Sequence, residues 1–140
     1  MFNFLKPPPS KPLLPENQID PTYKRLRLQV FASIFIGYAG YYLVRSNFSL
    51  AKPYLIDELG ISPSEIGFAG SFFAIAYGLS KFLMGNVSDR SNARIFMPIG
   101  LVLSSIVMLS LGFLPFTTTS IIVLGFMLFL NGWFQGMGWP

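Results

Sequence analysis

Cysteine and histidine are both absent from this 140-residue chain. It therefore offers no disulfide framework and no thiolate or imidazole set for zinc or haem, while zero cysteines leave the redox compartment open. Charged side chains are scarce, at 11% against about 25% in an average soluble domain. Hydrophobic residues make up 52%. That balance excludes a soluble enzyme and indicates a chain whose solvent is the lipid bilayer. Only six acids are present, Glu16, Asp20, Asp57, Glu58, Glu65 and Asp89, and all fall outside or at the ends of the apolar runs. No carboxylate is buried to relay protons, which argues against a proton-coupled symporter built from these residues alone. The net charge of +4 would suggest nucleic acid in a soluble chain. Here the cations gather at helix ends and serve topology instead. Neither a nucleic-acid role nor a cofactor nor a metal is expected.

What is present is four apolar runs. Residues 1–20 read as an arm, because Pro7, Pro8, Pro9, Pro12 and Pro15 oppose helix. The arm has no apolar core long enough for a cleavable signal. Asp20-Pro21 reads as an N-cap and first helical position, opening a helix over 21–52 that enters the bilayer near Leu28. Ser62-Pro63-Ser64-Glu65 has the form of a capping box with proline at N1, so a second helix is predicted over 63–87. A third is predicted over 94–113, capped by Ser91 or Asn92. After an uncharged loop, a fourth covers 121–140 and is still apolar at Pro140. Each run approaches the ~20 residues that cross ~30 Å of hydrocarbon. Lys24, Arg25 and Arg27 precede the first run, and Arg90 and Arg94 separate the second from the third. By the positive-inside rule, the N-terminus and the 2–3 loop are cytoplasmic. The expectation is an all-α integral membrane protein with four transmembrane helices, the front part of a longer chain. A four-helix membrane module that assembles with partners is the alternative.

Within these runs stand two cations, Arg45 and Lys81. Arginine cannot shed its proton, and placing it at the centre of a membrane helix costs about 2.5–3.5 kcal/mol on insertion scales. Tyr38, Tyr41, Tyr42 and Arg45 fall at i, i+3, i+4 and i+7, a polar-aromatic stripe on one face. Lys81 follows Tyr77 by one turn, and Gly70, Ala74 and Gly78 make a small-residue stripe suited to a close neighbour helix. Two buried like charges without an acid at their depth make sense if the counter-ion is the ligand, and a guanidinium fork matches phosphate. The plainer reading of both is snorkelling: Lys81 toward the cytoplasmic interface, Arg45 outward toward Lys52. Tyr41 fits packing as well as a cavity. Asn131, Gln135 and Trp139 share a face in the fourth run. Asn131 reads as packing, while Gln135 and Trp139 divide between packing and ligand contact.

The segment from Gly85 to Arg94 has the pattern G-x-x-x-D-R-x-x-x-R, with Gly85, Asp89, Arg90 and Arg94 at its fixed positions. Between a second and third membrane span it resembles the loop 2–3 motif of the major facilitator superfamily. The runs Ile19-Asp20-Pro21-Thr22-Tyr23, Tyr41-Tyr42-Leu43-Val44-Arg45, Ala76-Tyr77-Gly78, Ser80-Lys81-Phe82 and Asn131-Gly132-Trp133-Phe134-Gln135-Gly136-Met137-Gly138-Trp139-Pro140 are similar to the organophosphate:phosphate antiporters of that superfamily. They fit its glycerol-phosphate branch better than its hexose-phosphate branch. The resemblance implies a bacterial cell-membrane protein of twelve helices in two halves, with this chain as the start of the first half. It implies alternating-access import of glycerol-3-phosphate, or a similar small organophosphate, in exchange for inorganic phosphate. The family's substrate-binding arginine matches Arg45, its basic residue on helix two matches Lys81, and its cavity tyrosines match Tyr38, Tyr42 and Tyr77. The family's partner arginine and a histidine would lie beyond Pro140, in the remainder of the fold. A transporter-like organophosphate sensor and a hexose-phosphate antiporter are the competing readings.

Overall fold

A computed structural model describes residues 6, 8–10 and 12–138. The described residues form four α-helices: α1 (Glu16–Asp57), α2 (Pro63–Asp89), α3 (Ala93–Phe113) and α4 (Ile121–Gln135), with a short 3-10 turn at Pro115–Thr117. The fold is all-α. Among the described residues, α2 and the Arg94–Phe113 part of α3 are long and apolar enough to cross a bilayer. α4 is apolar but has 15 residues, and in α1 three tyrosines and Arg45 dilute the apolar stretch.

α1 begins at Glu16, not at Pro21, and continues through Pro53 to Asp57. Pro15 occupies the capping position without a side-chain cap, and Glu16–Ile19 contains no proline to stop the helix. An interior proline removes one backbone hydrogen bond and crowds the carbonyl four residues back, but a helix can run through it. At ~1.5 Å per residue the 42-residue α1 is roughly 63 Å long. That is about twice the ~30 Å thickness of a hydrocarbon layer.

The ends of the other helices follow the local chemistry of the sequence. Gly60 adopts φ 66°, a left-handed conformation that costs glycine nothing. There the N–H groups of Gly60 and Ile61 return to the carbonyls of Ile56 and Leu55 at 3.2 and 3.1 Å, closing α1. Ser62 caps α2 in a full capping box with Glu65, with Pro63 at the first position. Asn92, rather than Ser91, caps α3, accepting from the Arg94 N–H at 3.1 Å. α4 ends at Gln135, and turns follow it.

α4 sits between α2 and α3, and α1 packs on α3. Ala69, Leu124 and Leu128 form the buried core, and Phe48 from α1 and Phe73 from α2 pack against it. The closest helix contact runs along the glycines of α4. A methyl group added at Gly132 would stand 2.5 Å from the Phe73 carbonyl oxygen, one at Gly125 would stand 3.2 Å from the Phe72 ring, and one at Gly136 would collide with Ser80. Ser80 is buried and donates to the Trp133 carbonyl at 2.6 Å. The small-residue stripe expected to receive a neighbour, Gly70, Ala74 and Gly78, faces away: nothing lies within 4 Å of a Cβ on either glycine, and Ala74 is exposed. The opposite face of α2 is used because α4 supplies the small residues itself.

Gly132→Ala should therefore destabilise the segment by about 1–3 kcal/mol through overpacking, outweighing alanine's helix advantage of ~1 kcal/mol. Gly70→Ala should be neutral or stabilising. Thermal unfolding of both variants in detergent micelles checks the contrast of sign.

Candidate functional site

Side chains on a helix lean toward its N-terminus. The turn at Glu58–Ser62 reverses the chain, so leaning side chains of α1 and α2 approach one another from opposite ends. The Arg45 guanidinium carbon lies 5.1 Å from the centre of the Tyr77 ring and 5.3 Å from that of Phe73. Lys81 Nζ lies 5.0 Å from the same Tyr77 ring. Each cation is about one ring contact from Tyr77, so the two charges can be no farther apart than twice that distance. Arg45 is exposed but reaches across to the α2 rings, and Lys81 points back along α2. Lys52 stays apart, over Phe48 at 5.7 Å.

Beside this pair is a recess of about 20 Å³, the space of roughly one water molecule. Tyr38, Tyr41, Tyr42, Arg45, Tyr77, Gln135 and Gly138 line it. The rings of Tyr38 and Tyr42 meet edge-on at 5.0 Å and remain exposed, at 40% and 51%. Tyr41 is buried, and its hydroxyl donates to the Met97 carbonyl at 2.8 Å. It is thus both a strut to α3 and a wall of the recess. Gly138 and Gly100 make room for its ring. Gln135 is 5% exposed, and among the described residues its Nε2 has no hydrogen-bond partner. Asn131, one turn earlier, is paired: Ser104 donates to its Oδ1, and its Nδ2 reaches Met108 Sδ at 3.2 Å. Asn131 is a packing residue, as expected. Lys81 meets Tyr77 but does not line the recess. Trp139 lies outside the described residues.

Sequence reasoning assigned nothing to Phe73. Its signal was its spacing, because Phe73, Tyr77 and Lys81 stand at i, i+4 and i+8 and share one face of α2. The Phe73 and Tyr77 rings are near-parallel, 9° apart in plane with centres 6.0 Å apart. An aromatic face attracts a cation electrostatically, by about 0.5–1 kcal/mol when exposed and about 2 when desolvated. It offers no lone pairs to the guanidinium N–H groups. Those donors stay available to an anion, which a carboxylate partner would have displaced.

The 2–3 segment is a tight turn. Asp89 ends α2, the Arg90 N–H bonds the Val87 and Ser88 carbonyls, and Asn92 opens α3. Asp89, Arg90 and Arg94 are exposed, and Gly85 is half-buried.

The family model for the Major Facilitator Superfamily matches residues 34–140. The chain belongs to the Major Facilitator Superfamily. Over all its 140 residues this facilitator is 56% identical to the glycerol-3-phosphate transporter of Haemophilus influenzae and 53% identical to that of Bacillus subtilis. It is 40% identical, over 99% of its length, to the phosphoglycerate transporter protein of Salmonella typhimurium. It is also 40% identical, over its full length, to the membrane sensor protein UhpC of Escherichia coli. The chain spans 29% of the Haemophilus relative, 31% of the Bacillus relative, 29% of the phosphoglycerate transporter and 31% of the sensor. No solved structure matches it significantly. The facilitator's relatives are membrane proteins named as transporters or sensors, not enzymes.

The two buried amides of α4 should respond oppositely to removal. Asn131→Leu strands the buried Ser104 hydroxyl, and an unsatisfied buried group costs about 1–3 kcal/mol. Gln135→Leu deletes a donor that is unsatisfied among the described residues, so it should be neutral or stabilising in the ligand-free protein. Unfolding midpoints of the two variants in detergent distinguish a packing amide from one held ready for a ligand.

Proposed function

We propose that this chain is the N-terminal part of a secondary transporter that imports glycerol-3-phosphate, or a similar small phosphate ester, in exchange for inorganic phosphate. The observation that carries the reading is the convergence of Arg45 and Lys81 on the Tyr77 ring, each cation set against an aromatic face. A phosphate monoester carries about −1.5 to −2 charges at neutral pH, enough to compensate both. Arg45 engages the phosphate through its planar fork and Lys81 adds a second charge. Tyr38, Tyr42 and Tyr77 wall the cavity, the Gln135 amide donates into it, and Trp139, outside the described residues, is a further substrate contact by its place in the sequence. The names of the two most similar transporters above support the substrate class.

In this reading the four helices are all membrane spans of a bacterial cell-membrane protein with a cytoplasmic N-terminus. The remainder of the fold supplies the facing wall of the cavity, so the segment does not transport alone. Rocking of two halves about a midplane site is the mechanism that suits such repeats. A ligand drives it only by binding one state better than the other. The segment from Gly85 to Arg94, which joins the end of α2 to the start of α3, is the element that gates this motion on the cytoplasmic side.

A second reading is a receptor that binds an organophosphate without moving it, which the 40% identity to a membrane sensor favours. Counterflow of labelled phosphate by the full-length protein in proteoliposomes separates the two, since a sensor shows none. In the same assay Arg45→Lys should abolish most exchange while membrane insertion is unchanged. Wild-type exchange by that variant would sink the proposal. Asp89→Asn should lower turnover several-fold with less effect on phosphate affinity, and unchanged turnover would count against gating.

A further inference from the structure

We infer that Phe73 is a positioning residue: with Tyr77 it forms an aromatic platform that holds the Arg45 guanidinium at the cavity in the ligand-free protein. The inference rests on the phosphate-binding reading of the site and adds to it the device that prepares the cation. Arg45 stands within 5.3 Å of both ring centres, and the rings are near-parallel, so one charge is shared by two faces. Phe73 cannot easily leave. It packs against the buried core of Ala69, Leu124 and Leu128, and its backbone carbonyl is pressed by Gly132 of α4. The platform is thus anchored by the close approach of Gly132 on α4, while Arg45 itself is an exposed side chain on α1.

The chemistry explains why an aromatic residue, not an acid, does this. A long arginine side chain left free at this position would sample the outward direction toward the interface. A carboxylate would hold it but would occupy the donors that a phosphate needs. A ring face restrains the charge and leaves those donors unspent. Ordering Arg45 before the ligand arrives removes part of the side-chain ordering cost from binding.

The test must separate the ring's electrostatics from its bulk, because a smaller side chain at 73 would also disturb the core. Mono-, di- and trifluorinated phenylalanine introduced at position 73 of the full-length protein keep the ring's shape nearly constant and progressively weaken its negative face. Two readouts are taken. One is the rate at which phenylglyoxal modifies Arg45 without ligand, followed on the Arg45 peptide by mass spectrometry. The other is the affinity for inorganic phosphate. Labelling should speed up with each fluorine, and phosphate affinity should fall by about two- to thirtyfold across the series, the range that cation–π energies imply. Labelling that does not change along the series overturns the platform. Faster labelling with unchanged phosphate affinity overturns its service to the site. If labelling speeds up but the unmodified protein binds no phosphate, the platform stands and the phosphate-binding reading falls.

Discussion

The approach of α4 to α2 governs the rest of the molecule. With glycine at 125, 132 and 136, the α4 backbone lies against Phe72, Phe73 and Ser80 with no side chain between. Such contact fixes the rotation of α2 about its own axis, because turning it would drive side chains into a backbone that cannot retreat. With that rotation set, Ala69, Ala76 and Ser80 are buried, and Tyr77 and Lys81 are left half-buried beside Arg45. The site is therefore a consequence of helix packing, not of a local motif.

Charge supplies the second constraint. Two basic side chains face one aromatic column, and the acids of the chain stay at the helix ends. Ring faces attract the cations without neutralising their charge. Gln135 adds a neutral buried donor whose Nε2 has no partner among the described residues, whereas Asn131, one turn away, accepts from Ser104 and reaches the Met108 sulfur. Among the described residues, hydrogen bonds are thus distributed unequally along one helix face.

Much of this was legible from residue spacing. The capping box at Ser62–Glu65, the start of α4 at Ile121 and the stripe from Tyr38 to Arg45 are short-range patterns, and short-range patterns survive without knowledge of the fold. The start of α1 was misplaced because proline's helix-breaking tendency is a local average, and Glu16–Ile19 forms a helix that continues through Pro21. The Gly70–Ala74–Gly78 stripe was assigned the wrong role for a different reason: a small-residue face permits close approach but does not say which of two faces a partner takes. Phe73 was missed because one phenylalanine among 15 carries no mark until a cation is seen above it.

The sequence by itself determined the helical, membrane-borne class, the helix ends that side chains cap, and the presence of cations with no acid at their depth. Periodicity, capping chemistry and composition act within a few residues of the chain, so they can be read along it. Only the tertiary structure decided that Arg45 and Lys81 converge on one ring, that Phe73 shares the load, and that α2 offers its Ala69–Ser80 face to α4. Those outcomes depend on how each helix is rotated against its neighbours. That rotation is set by contacts between residues some 50 positions apart, as between Ser80 and Trp133.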